Sequence, residues 1–177
     1  EARRMQQLVE DLMSLSRIEA VKHERPDETV DLALIASQVV AEINASHDAP
    51  AAAMTSASSP NALLQGDAGQ LSQLVRNLVE NGIRHGGASD PVSVSVSHAP
   101  GSVELTVCDN GTGIAAEHIP RLTERFYRID PSRSRDAGGT GLGLAIVKHI
   151  VARHRGDLDI SSAPGQGTTV RVRFPAG

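Results

Sequence analysis

The stretch PVSVSVSHAPGSVELTVCD, running from Pro91 to Asp109, decides the fold. Val92, Val94 and Val96 alternate with serines, a Pro100–Gly101 turn follows, and Val103, Leu105 and Val107 then alternate with polar residues. Successive side chains of a strand point to opposite faces, so this pattern predicts a two-stranded hairpin with one buried face. The same pattern returns near the C-terminus in Leu158 and Ile160, then in Val170, Val172 and Phe174, around a Pro164 to Gly167 turn.

Outward from the first hairpin the spacing changes. Before it, Leu71, Leu74, Val75, Leu78, Val79 and Gly82 form the inner face of a helix capped by Asp67 and running to His85. A second helix is predicted over Leu32 to Ile43 with Asp31 as N-cap, after a short strand from Glu28 to Asp31, and a third over about Leu142 to Arg155. The Ala/Ser/Pro-rich stretch from Ala45 to Pro60 reads as a loop around a short strand near Ala51 to Thr55. Residues 1–24 carry Met5, Leu8, Val9, Leu12, Leu15 and Ile18 at helical spacing, with Pro26 as the expected stop. That helix either packs on the body of the domain or pairs with a helix outside this sequence. Strands gathered in hairpins with helices between them favour an α+β, two-layer α/β sandwich over a parallel doubly wound sheet. The expected sheet is mixed, mostly antiparallel and packed on three helices, with one long N-terminal helix in front.

A chain of 177 residues holds one domain and a short appendage. Aromatic content is 2%, and 17 Lys+Arg against 21 Asp+Glu give a formal charge of −4, which argues against direct nucleic-acid binding. The single cysteine, Cys108, requires no oxidising compartment, so a cytoplasmic location is expected. No apolar run approaches the roughly 20 residues that span a bilayer. Glu1 to Arg4 look like neither a signal peptide nor a natural chain start, so an excised fragment is expected, with any membrane anchor lying outside it.

Four groups of residues carry chemistry. Asn77 and Asn81 stand one turn apart on the Asp67-capped helix, followed by Arg84 and His85; amide oxygens are hard ligands suited to Mg²⁺, although two such amides also bond well to a neighbouring loop. Asp109–Asn110–Gly111–Thr112–Gly113–Ile114 follows a strand end, where a carboxylate can accept from an exocyclic amine and glycines admit a flat ligand; Asp-Asn-Gly is also ordinary turn chemistry. Gly138–Gly139–Thr140–Gly141–Leu142–Gly143–Leu144 opens directly into a helix, a natural anion site. Between these lies Glu124–Arg125–Phe126–Tyr127–Arg128, then Arg133 and Arg135, a composition suited to a cationic lid or to a solvated loop.

In this order, and with the terminal Gly165–Gln166–Gly167–Thr168 turn, these elements resemble the ATP-binding catalytic domain of sensor histidine kinases, a gyrase-type nucleotide-binding fold. The segment from His118 through His149 looks most like the phosphate-regulon sensor kinases. The resemblance implies a catalytic domain over residues 26–177, with residues 1–25 matching the second helix of a dimerisation and phosphoacceptor hairpin through Leu8–Val9–Glu10–Asp11–Leu12 and Leu15–Ser16–Arg17–Ile18–Glu19. It implies that Asn81 ligates Mg²⁺, that Asn77 supports the phosphates and metal, and that Arg84 and Arg128 bind phosphate, with Asn77, Asn81 and Arg128 the catalytic set. It implies an adenine pocket of His85, Asp109, Gly111, Gly113, Ile114 and Thr168. Phe126 and Tyr127 would anchor a lid, and Gly139, Thr140, Gly141, Leu142, Gly143 and Leu144 would close on the triphosphate of ATP. Glu80, beside Asn81, is expected to be solvated, and residues 129–140 to be poorly ordered without nucleotide.

The family's phosphoacceptor box appears at none of the seven histidines, and His23–Glu24–Arg25–Pro26 matches it only superficially. The resemblance therefore implies binding of ATP·Mg with the acceptor histidine supplied by the parent's own hairpin. It further implies a homodimeric, inner-membrane parent and a response regulator, of winged-helix type, as partner. The wider superfamily's ATPases carry a general-base Glu where this chain has Asn77; an amide cannot take that proton, which favours phosphoryl transfer over hydrolysis. A degenerate docking module without kinase activity is the alternative.

Overall fold

The computed structural model describes residues 1–57, 62–87, 89–130 and 139–177. Its helices are α1 (Ala2–Ala20), α2 (Leu32–Ala45), α3 (Ala68–His85) and α4 (Gly143–Arg153); its strands are β1 (Thr29–Asp31), β2 (Ala52–Ala57), β3 (Leu63–Gln65), β4 (Val92–Ala99), β5 (Ser102–Asp109), β6 (Asp157–Ser162) and β7 (Thr168–Pro175). A 3₁₀ turn covers Ile119–Arg121.

The alternating stretch forms the β4–β5 hairpin, with Val94 opposite Val107 and Val96 opposite Leu105. β7 pairs antiparallel with both β5 and β6, which extends two apolar rows: Val96, Leu105, Val172, Leu158 and Val94, Val107, Val170, Ile160. β2 adds in parallel beside β4, so the five-stranded order is β2-β4-β5-β7-β6, mixed and mostly antiparallel as expected. One face is covered by α2, α3 and α4, whose Leu32, Leu71, Leu74, Leu78, Ile146 and Ile150 are fully buried with Phe174. Each contributes about 2 kcal/mol through burial alone. The other face carries Ser93, Ser95, Thr106 and Arg171.

Both anticipated caps form. Asp31 accepts from the Ala33 and Leu34 amides, and Asp67 accepts from the Gln70 amide at 3.0 Å. The inner face of α3 is the predicted one, Leu71, Leu74, Val75, Leu78, Val79 and Gly82.

Three local expectations are corrected. β3 was not anticipated; it pairs with β1 in a separate two-stranded sheet, Val30 opposite Leu64, and three residues are too few to show a period. The turn at Ile119–Arg121 was likewise not anticipated. α1 stops at Ala20, well before Pro26, because the Arg153 guanidinium of α4 donates to the carbonyls of Val21 and Glu24, at 3.3 and 3.1 Å. α1 then divides its apolar residues: Leu15 and Ile18 are buried and Leu8 packs against the core, while Met5, Val9, Leu12 and Met13 stay exposed. Among the described residues no helix is long and apolar enough to cross a membrane.

Candidate functional site

At 100° per residue, Asn77, Asn81, Arg84 and His85 fall on one flank of α3, beside its buried stripe. Glu80 and Arg76 fall on the far side, where they form an exposed ion pair at 3.9 Å, in accord with the solvated reading of Glu80. The Asn77 amide nitrogen donates to the carbonyl of Gly143, the first residue of α4, at 3.3 Å. This ties the asparagine-bearing helix to the glycine run, and the Asn77 amide oxygen is the group left to accept or ligate.

α4 begins without a side-chain cap, so its first amides are not capped by any side chain. Cations gather beside it. A methyl group added to Gly139 would lie 3.5 Å from Arg84 Nη1 and 3.6 Å from Arg128 Nη2, so two guanidinium groups from distant parts of the chain close over one bare Cα. Burial, and then the neighbouring Arg4 and Arg84, hold Arg128 below its ordinary range. Among the described residues, nothing lies within 4 Å of where a Cβ on Gly143 would stand.

A second corner forms at the strand ends. Asp109 ends β5 and pairs in register with Thr168 at the start of β7. Asp109 Oδ1 accepts from the Gly111 amide at 2.9 Å, and the Ser162 hydroxyl accepts from the Ile114 amide at 2.8 Å while meeting Thr168 Oγ1 at 2.9 Å. Partial burial first, then Arg84 and Arg128, hold the His85 imidazole below its ordinary range, with Asp109 pulling the other way. That lowering favours the uncharged imidazole at the Asp109 corner.

The structure therefore brings Asn77, Arg84, Arg128, Gly139 and Gly143 to one corner, and His85, Asp109, Gly111, Gly113, Ile114 and Thr168 to the other. Asn81 stands between them on α3. The remaining expected residues are placed differently. Tyr127 OH bonds His118 Nδ1 at 2.6 Å, and the Arg121 guanidinium lies over its ring at 4.4 Å, so this ring is occupied by protein. Phe126 is exposed at positive φ, its amide donating to the Gly141 carbonyl at 2.9 Å, and it lines an open cavity of about 320 Å³ with Arg121, Glu124, Arg125, Tyr127 and Arg128. The Leu142 side chain is fully buried and Leu144 packs against the core, which leaves their backbone to serve the site. Thr140 donates to Asp11 of α1.

The sequence leads one to expect Gly111 and Gly113 to admit a flat ligand. Their Cβ directions instead face protein: 2.1 Å from the His85 carbonyl oxygen for Gly111, and 1.9 Å from that of Ala163 for Gly113. Most of the expected lid, residues 131–138 with Arg133, Arg135 and Gly138, lies outside the described residues. Sequence reasoning missed Ser162, Arg4 and Asp11. Only Asp11 carried a signal, as a carboxylate on the buried stripe of Leu8, Leu15 and Ile18.

Among the described residues no three His, Cys, Asp or Glu side chains stand close enough to hold a metal. The hard oxygen donors of this corner are the amides of Asn77 and Asn81, which fit Mg²⁺ as members of a set completed by phosphate and water.

The profile of the family described as histidine kinase-, DNA gyrase B-, and HSP90-like ATPase matches residues 66–177. The chain is 36% identical over 175 residues to the sensor-like histidine kinase SenX3 of Mycolicibacterium smegmatis, covering 99% of this chain and 46% of that protein. It is 36% identical over 174 residues to the phosphate regulon sensor protein PhoR of Pseudomonas aeruginosa, covering 98% of this chain and 39% of that protein. It thus spans less than half the length of these relatives. Among solved structures, the mycobacterial sensor histidine kinase MprB superposes with a TM-score of 0.71 at 27% identity over 84% of this chain and 97% of that one. Full-length ShkA in complex with AMPPNP superposes with a TM-score of 0.77 at 26% identity over 97% of this chain and 36% of that one. With the sandwich, the asparagine helix and the glycine run in the matched segment, the chain belongs to the histidine kinase-, DNA gyrase B- and HSP90-like ATPase family.

Proposed function

We propose that this chain is the ATP·Mg-binding catalytic part of a two-component sensor histidine kinase, delivering the γ-phosphoryl of ATP to a histidine. The observation that carries the proposal is the closure of Arg84 and Arg128 over Gly139, beside the uncapped start of α4 and the Asn77–Gly143 contact. Two guanidinium groups, backbone amides and a helix dipole directed at one place are suited to the charge of a triphosphate. ShkA, which was solved with AMPPNP, shares the fold.

In this reading the Asp109 carboxylate accepts from the adenine amino group, with neutral His85 and Thr168 at its side. Arg84 and Arg128 neutralise phosphate charge, and Asn81, supported by Asn77, holds Mg²⁺. Mg²⁺ when bound offsets charge on the phosphates, and the protein's part in phosphoryl transfer is positioning and electrostatic stabilisation. An amide such as that of Asn77 cannot accept a proton from water, which favours transfer over hydrolysis.

Residues 1–25 would form the second helix of a dimerisation and phosphoacceptor hairpin, whose other helices cover Met5, Val9, Leu12 and Met13. The acceptor histidine belongs to that hairpin, the intact kinase is a membrane-anchored homodimer, and a response regulator of winged-helix type takes the phosphoryl group onto an aspartate.

Calorimetric titration tests the binding step. Mg²⁺-dependent ATP binding is expected for the wild-type chain, and Asn81→Ala should weaken it by a hundredfold or more, about 2.7 kcal/mol. Transfer of label from ATP to a separately made acceptor hairpin tests the chemistry. A wild-type chain that binds no nucleotide at millimolar ATP would refute the reading.

A further inference from the structure

Helix α1 reaches the glycine run through one polar residue. Asp11, 9% exposed, lies on the stripe that buries Leu15 and Ile18. Its Oδ2 accepts from Thr140 Oγ1 at 2.6 Å, and its Oδ1 accepts from Gln7 Nε2 at 2.9 Å. Thr140 Oγ1 accepts in turn from the Leu142 amide at 3.3 Å, so a chain of bonds runs from α1 to the N-cap residue of α4. A hydroxyl has one proton to give, and here it is given to α1.

A second contact lies on the other side of the same neck. The Phe126 amide donates to the Gly141 carbonyl, which brings the two ends of the segment 126–141 together. Just outside one end, Arg125 forms an ion pair with Glu19 of α1, whose carboxylate also lies 3.9 Å from His149 Nε2. Just inside the other end is Thr140. Asp11 and Glu19 are eight residues apart, about 12 Å along a helix. One helix therefore grips both sides of the neck.

We infer that α1 is a latch on the phosphate corner: the Asp11 carboxylate holds Thr140 away from nucleotide, and binding of a triphosphate requires that this bond be released. The inference rests on the reading of the glycine run as the triphosphate site. Two physical terms act in the same direction. Thr140 cannot donate to a phosphate while it donates to Asp11, and the Asp11 carboxylate brings negative charge to the loop where Arg84 and Arg128 gather positive charge. By linkage, a nucleotide that is disfavoured by the α1 contact must itself loosen α1.

The test compares Mg·ATP with adenosine, which lacks phosphates, on the 177-residue chain. Asp11→Ala should tighten Mg·ATP binding about three- to tenfold and leave adenosine affinity unchanged, and Asp11→Asn, which keeps an acceptor but loses the charge, should fall between it and wild type. Unchanged or weaker ATP binding by Asp11→Ala overturns the latch. Wild-type protein that binds no ATP refutes the nucleotide site instead. Should Asp11→Ala fail to fold, hydrogen exchange on wild-type protein decides: amides of residues 8–15 should exchange faster with Mg·ATP and not with adenosine, and equal exchange overturns the proposal.

Discussion

The two glycine-rich segments, Asp109–Ile114 and Gly139–Leu144, look alike in sequence and serve opposite needs. In the first, the missing side chains make room for the protein itself. Gly111 and Gly113 lie against the carbonyls of His85 and Ala163, and the Gly165 and Gly167 amides bond back to the carbonyls of Thr112 and Gly111 at 2.6 and 3.1 Å. In the second, among the described residues, Gly139 meets only the guanidinium groups of Arg84 and Arg128 and Gly143 meets nothing. A glycine crowded by backbone is explained by the fold, whereas one that faces open space next to cations is explained by something that binds there. In the proposed reading the first segment holds Asp109 in place and the second serves the phosphates.

Substitution by alanine separates the two. Gly113 sits at φ 73° with a Cβ position 1.9 Å from a carbonyl oxygen. Gly113→Ala is expected to cost about 3 kcal/mol of stability through backbone strain and displaced loop, read as a lower urea midpoint. A midpoint equal to wild type would mean that the first segment yields more easily than its packing indicates. Gly143→Ala should do the reverse. Alanine favours a helix over glycine by up to about 1 kcal/mol, so the midpoint should hold or rise, while Mg·ATP affinity should fall about tenfold as the methyl group enters the phosphate corner. Undiminished ATP affinity in Gly143→Ala would remove the distinction between the segments.

Where the sequence was legible, one physical period governed enough residues to be seen. The α3 stripe from Leu71 to Gly82 follows the helical repeat over three turns, and β4, β5 and β7 follow the strand repeat over eight residues each, so element type, buried face and hairpin pairing could all be read. β1 and β3, three residues each, exist because they pair with each other across more than thirty residues of chain. The end of α1 is set by Arg153, more than 120 residues away, and no local pattern contains that contact. The site divides in the same way. Asp109 and Thr168 were each legible at the edge of a strand, and register brings them together. Tyr127 and Thr140 were placed by motif alone, and their actual partners, His118 and Asp11, depend on which neighbours the tertiary fold supplies.

The smallest effect concerns a position where the backbone asks for glycine and the sequence does not provide it. After α4 the Gly156 amide donates to the Val151 carbonyl and the Arg155 amide to that of Ala152, the paired bonds of a Schellman cap, and Arg155 takes the left-handed φ of 54° that such a cap needs. Gly156 cannot be exchanged, since a Cβ there would come within 2.6 Å of the Arg173 carbonyl oxygen. Arg155, by contrast, is exposed and strained only by its own Cβ. Arg155→Gly relieves that strain but gives the unfolded chain more freedom, so the net gain should be about 0.5 kcal/mol, measured as a higher urea midpoint with an unchanged slope. Mg·ATP affinity should not move, because Arg155 lies at the end of α4 opposite the glycine run. A loss of stability would show that the arginine side chain offsets its own backbone cost, and that even here sterics alone do not decide which residue the fold prefers.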